Sequence, residues 1–109
     1  SVKLARDVGS SYLEYRNLAG LAWTLAEGGR YAEARELLNA AKAKVVPSDD
    51  PESAILMRAF EGHLAKARGE ISEACGHYRG AHRDFTAKGL LGPAQEVEEW
   101  MRDAGCPDA

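Results

Sequence analysis

The chain has 109 residues, a formal net charge of −3 from 14 Lys plus Arg against 17 Asp plus Glu, and a hydrophobic fraction of 45%. That length suits one domain and excludes a barrel enzyme or a two-domain nucleotide-binding enzyme. The acidic balance argues against direct nucleic-acid binding, which relies on excess cations, and the apolar fraction argues against disorder. Apolar runs such as Ile55-Leu56-Met57 are far shorter than the roughly 18 residues of a membrane span, and the first residues lack the apolar core of a signal peptide.

Val, Ile and Thr together number only nine, whereas Ala, Leu, Glu and Arg abound, so the expectation is an all-α domain. In chain order, residues 1–8 read as the end of a preceding helix, closed by Gly9-Ser10-Ser11. The spacing predicts helices over 11–27, 31–45, 51–67, 72–87 and 93–104. Gly28-Gly29 suits a helix C-terminus, and Asp50-Pro51 reads as an N-cap followed by proline at the first helical position. Gly69, Gly89, Gly92-Pro93 and Gly105-Cys106-Pro107 punctuate the rest. Cys75 and Cys106 do not make a disulfide framework and are expected as two reduced thiols, which points to the cytoplasm.

The segments repeat. Gly29-Arg30-Tyr31-Ala32-Glu33-Ala34 is echoed 40 residues on by Gly69-Glu70-Ile71-Ser72-Glu73-Ala74, and Leu38, Ala41 and Val45 map onto Tyr78, Ala81 and Phe85. In the preceding helices, Leu18, Leu21, Ala22 and Leu25 form an apolar stripe. A shift of 40 would put Arg58 and Glu61 in that stripe, and buried unpaired charge is costly. A shift of 39 puts Met57, Phe60 and Leu64 there instead, with one extra residue before Gly69 and Glu61 left as a blemish. Val97, Trp100, Met101 and Ala104 form the last stripe. Charged Glu96, Glu98, Glu99, Arg102 and Asp103 make that helix read as a cap.

Leu18, Leu21, Ala22, Leu25, Gly29, Tyr31, Ala34, Leu38 and Ala41 together resemble a tetratricopeptide repeat (TPR), and Met57, Phe60, Leu64, Gly69, Ile71, Ala74, Tyr78 and Ala81 resemble it less closely. The resemblance implies a right-handed α-α superhelix of antiparallel helix pairs: repeat 1 over 11–45, repeat 2 over 51–87 and a capping helix over 93–104. Unit lengths near 40, with Leu4-Ala5-Arg6-Asp7-Val8-Gly9 before one pair and Phe85-Thr86-Ala87-Lys88-Gly89 after another, resemble the longer TPR variant of sensor arms in bacterial transcription regulators and signalling ATPases.

Chemistry-bearing residues are sparse. His63, His77, His82 and Cys75 lack the tight convergent spacing of a zinc site. Glu98-Glu99 and Asp49-Asp50 are sequence neighbours whose side chains diverge, and no nucleophile or phosphate-loop motif occurs. The expectation is a protein with no catalysis, metal or cofactor. The TPR resemblance implies a concave groove on the side of the first helix of each pair opposite the stripe. Its candidate residues are Arg16, Trp23, Glu27, Ile55, Arg58, Lys66, Glu98 and Arg102, a mildly basic set with one aromatic anchor for an acidic or amphipathic peptide. The competing reading packs Trp23 as core against residues 2–8. Some TPR co-chaperones clamp a terminal carboxylate on this surface. Here Ala19, Trp23, Gly62 and Glu98 depart from that pattern and only Arg102 agrees, so that ligand is disfavoured. The functional expectation is a protein–protein interaction scaffold. The alternatives are self-association or intramolecular docking, and a peptide or small-molecule sensor, which needs a deeper groove than two and a half repeats build.

Overall fold

The computed structural model describes residues 2–107, with side chains from Tyr12 onward. Five helices follow one another: α1 (Val2–Glu27), α2 (Tyr31–Lys44), α3 (Pro51–Ala67), α4 (Ile71–Ala87) and α5 (Leu91–Ala104). Gly9-Ser10-Ser11 is no break, because α1 runs through it. Glycine and serine cost a helix up to about 1 kcal/mol each but neither clashes with the preceding turn as proline does. Residues 1–8 are thus not the end of a separate helix, and Ser1 lies outside the described residues. α5 begins ahead of Gly92-Pro93, with Leu90 as its N-cap.

The helix ends follow from local chemistry. Asp50 Oδ1 accepts from the Ser53 amide at 3.1 Å, and the buried Ser53 hydroxyl donates to Asp50 Oδ2 at 2.6 Å. Both close the N-terminus of α3. At the C-termini, Gly29, Gly69 and Gly89 adopt φ of +86°, +83° and +74°. This left-handed turn lets Arg30, Glu70 and Leu90 donate backbone bonds of 2.9 Å to Leu25, Ala65 and Phe85.

These turns fix the repeat. Gly29 and Gly69, like the helix starts Tyr31 and Ile71, lie forty residues apart. There is no extra residue before Gly69, so the shift of 39 is wrong. Ala22 therefore corresponds to Gly62, Leu21 to Glu61 and Leu18 to Arg58. Glu61 is tolerated because it is paired: Lys42 and Arg35 of α2 reach it at 2.7 and 2.8 Å. Burial pushes its carboxyl pKa up, but the bonds from Lys42 and Arg35 outweigh that and hold it below the usual range.

Neighbouring helices run antiparallel. The Tyr15 hydroxyl donates to the Lys44 carbonyl at the end of α2, and Tyr31 at the start of α2 donates to Ala67 at the end of α3, both at 3.1 Å. The core lies where small and large residues interlock. Ala19, Ala22 and Ala26 of α1 are buried, as are Ala34, Leu38 and Ala41 of α2 and Ala74, Tyr78, Ala81 and Phe85 of α4. A Cβ on Gly62 would sit 2.7 Å from the Tyr78 ring, so this crossing needs glycine. The stripe read from the sequence is rotated: Leu18 and Leu25 are half-buried and Leu21 is exposed. Ala34 and Ala74 are fully buried, so Ala34→Leu or Ala74→Leu should cost roughly 1–3 kcal/mol through overpacking. Urea melts with unchanged midpoints would show that these positions are not at the crossings.

Cys75 and Cys106 are not free thiols but a disulfide, with Cα atoms 5.7 Å apart and a sequence separation of 31. The Gly105 turn, with φ of +77°, brings the chain after α5 back onto α4. Linear spacing does not show this return. The reduced-thiol argument for the cytoplasm falls with it.

Candidate functional site

The most organised polar and aromatic group surrounds His63, on α3. The ring is 1% exposed and its Nδ1 lies 2.7 Å from the Tyr78 hydroxyl. Trp23 of α1 stacks on it, with centroids 3.8 Å apart and planes at 4°. Trp100 of α5 and Phe60 meet it edge-on at 4.4 and 4.9 Å. With the Tyr78 ring of α4, 5.4 Å from His63, four helices converge through their rings, an arrangement favoured beyond simple area burial.

The protonation state follows from the surroundings. Burial holds the Tyr78 hydroxyl well above its ordinary pKa, with the Asp103 carboxylate adding to the effect, so the phenol keeps its proton. It shares a hydrogen bond with Nδ1 whose direction follows the imidazole tautomer. Nε2 has no hydrogen-bond partner among the described residues; aromatic rings surround it. Burial, and then the charges of Lys66 and Arg16, push His63 down to about 3. A neutral imidazole so enclosed positions helices; it does not present a base to a substrate.

Beside the rings, Arg16 of α1 and Glu96 of α5 form an ion pair at 2.5 Å. It ties the first helix to the last. Among the described residues, no three His, Cys, Asp or Glu side chains converge as metal ligands. No helix there is long and apolar enough to cross a membrane.

The candidate groove residues fare unequally. Arg16, Trp23 and Lys66 lie together around His63. Glu27 and Arg102 are exposed. Ile55 is only 8% exposed and belongs to the core. Arg58 is also misplaced: its guanidinium lies over Gly80 of α4, where any side chain at residue 80 would overlap it. Glu98 faces α4, with its carboxylate 3.2 Å from His82. Ala19 is fully buried rather than opposite the core. These errors share a cause, since the face was placed from a stripe that the fold rotates toward Ala19, Ala22 and Ala26.

Sequence reasoning missed His63 as the centre and Trp100 as its neighbour. A signal existed. At the forty-residue offset His63 is the counterpart of Trp23, so equivalent positions of α1 and α3 stack on each other.

No protein-family model, no curated protein and no solved structure matches this chain.

Trp23 is half-buried, and the partner that covers one ring face is His63 of α3, which neither reading named; the side chains of residues 2–8 lie outside the described residues. Trp23→Ala should therefore cost roughly 3 kcal/mol. A thermal midpoint that barely moves would instead make Trp23 a free surface anchor.

Proposed function

We propose that this chain is a non-catalytic helical-repeat module of the TPR type, a right-handed stack of two helix pairs and a capping helix that binds a protein or peptide. The observation that carries the reading is the repeated interlock between successive units. Lys42 of α2 bonds Glu61 of α3 at 2.7 Å. Forty residues after Lys42, His82 of α4 approaches Glu98 of α5 at 3.2 Å. The two carboxylates lie 37 residues apart, three short of the forty that separates the Gly29 and Gly69 turns, but in each unit a carboxylate meets a nitrogen of the helix before it, which is the nearest-neighbour logic of a solenoid.

In this reading α1, α3 and α5 form the concave side. Its floor is the partly exposed edges of Trp23 and Trp100, with Lys66 and Arg102 as cations and Arg16 held by Glu96. An acidic or amphipathic peptide suits that surface. Selection from a displayed library of acidic peptides tests it. Selected peptides should bind Lys66→Glu at least about tenfold more weakly, a loss of about 1.4 kcal/mol, and bind Arg83→Glu, on the outer side of α4, as they bind the parent. Equal binding to the parent and Lys66→Glu would remove the groove.

Docking of another helix is the second reading. Leu13 and Leu21 favour it, lying 58% and 52% exposed on the outer side of α1.

A further inference from the structure

The outer side of α1 carries Leu13, Asn17, Leu21 and Thr24, all exposed. Gly20 lies between them, with nothing within 4 Å of where its Cβ would be. At the forty-residue offset these positions correspond to Ser53, Met57, Glu61 and Leu64 of α3, with Phe60 in place of Gly20. There the stripe is covered: Ser53, Met57, Phe60 and Leu64 are buried, and Glu61 is held by Arg35 and Lys42. Its cover is α2 on one side, and Trp23 of α1 against Phe60 on the other. Among the described residues, nothing covers the matching stripe of α1.

We propose that this face of α1 receives an amphipathic helix from a protein partner, seated as α2 is seated on α3. The proposal rests on the helical-repeat reading and deepens its second form. The chemistry of the partner follows from one difference. α3 presents a carboxylate to the preceding helix at the position that matches Leu21, Glu61 to Lys42, and α5 presents one three residues earlier in the same register, Glu98 to His82. α1 presents Leu21. A helix with cations at the matching positions would bury them against a leucine without a counter-charge. The partner helix must be apolar there. Leu13, two turns earlier, asks for a second apolar residue. Among the described residues, the exposed charges flanking the stripe are Glu14 and Glu27, both acidic, so basic residues at the edges of the partner's stripe complete the match.

The molecule supplies its own probe: a synthetic peptide of residues 30–46, which spans α2, in its natural form and as an apolar form with Arg35→Leu and Lys42→Leu. Labelled peptides are titrated against the full chain and followed by fluorescence anisotropy. The apolar peptide should bind at least about tenfold more tightly than the natural one. Leu21→Glu, which restores the carboxylate found at Glu61, should reverse that order. Leu13→Ser should weaken the apolar peptide without adding charge. Circular dichroism should show both variants folded, since neither side chain is core.

The proposal is overturned if the two peptides bind the parent equally, if the apolar peptide binds both variants undiminished, or if neither binds at millimolar concentration. It is overturned too if the chain dimerises through this face, with Leu21→Glu abolishing the dimer, since the occupant is then a second copy. Failure of the repeat reading looks different. The apolar peptide would bind the parent, yet the natural peptide would gain nothing from Leu21→Glu, so α1 would dock helices without being the counterpart of α3.

Discussion

Unfolding free energy should fall by about 2 kcal/mol as the pH is lowered from about 7.5 to about 5, because His63 takes up a proton only when the chain unfolds. The folded imidazole sits near pKa 3 against 6.5 unfolded. A depressed histidine stabilises the fold fully above its unfolded pKa, and that contribution drains away as the pH drops toward the folded value. The slope approaches about 1.4 kcal/mol per pH unit. Glu61 acts with the same sign at lower pH. Its carboxyl is held below 4.5 by Lys42 and Arg35, so its share is lost as pH falls through that lower value. The interval from 7.5 to 5 therefore lies above the Glu61 step. His63→Gln keeps a hydrogen-bonding group near Tyr78 but does not titrate, so it should lose the His63 share of the slope there. Urea melts across the series make the measurement. A flat parent curve would mean that the folded ring takes up its proton and that the cluster admits water.

Replacing both cysteines, as Cys75→Ser with Cys106→Ser, should cost about 3–4 kcal/mol. That is the loop entropy expected for the 31-residue separation. It is a large fraction of the stability of a domain this size. The loss should concentrate at α5, whose other ties to the body include the Arg16–Glu96 and His82–Glu98 contacts and the packing of Trp100. Both sulfurs are buried, so reductant should act slowly on the folded chain and quickly in denaturant. Coincident denaturation curves for the parent and the double variant would show that the bond contributes nothing to stability.

Most helices were legible because their signals are local. Asp50-Pro51, the alanine-rich stripes and the glycines after each helix specify caps and turns within a few residues. The register between units was not, for a physical reason. A charge in a buried stripe was treated as unpaired, and Glu61 pointed to a shift of 39. Its partners, Arg35 and Lys42, lie one helix earlier and on another element, where no periodicity within α3 reveals them. The same mistake hid the pairing of Trp23 with His63. It also put Leu21 in the core, although the fold buries the neighbouring Ala22. The Cys75–Cys106 bond was out of reach for a similar reason. It depends on where a left-handed glycine sends the chain after α5. Of the eight groove candidates, Arg16, Trp23 and Lys66 share one surface because they flank His63, which sequence alone did not single out.

Chemical-shift mapping with a peptide selected for binding tests the central claim most directly. As labelled chain is titrated, the indole N–H signals of Trp23 and Trp100 should move together with the amides around His63 and Lys66. Signals from the outer sides of α2 and α4 should stay still. Shifts confined to α2 and α4, with both indole signals unmoved, would contradict a module that binds through the side formed by α1, α3 and α5.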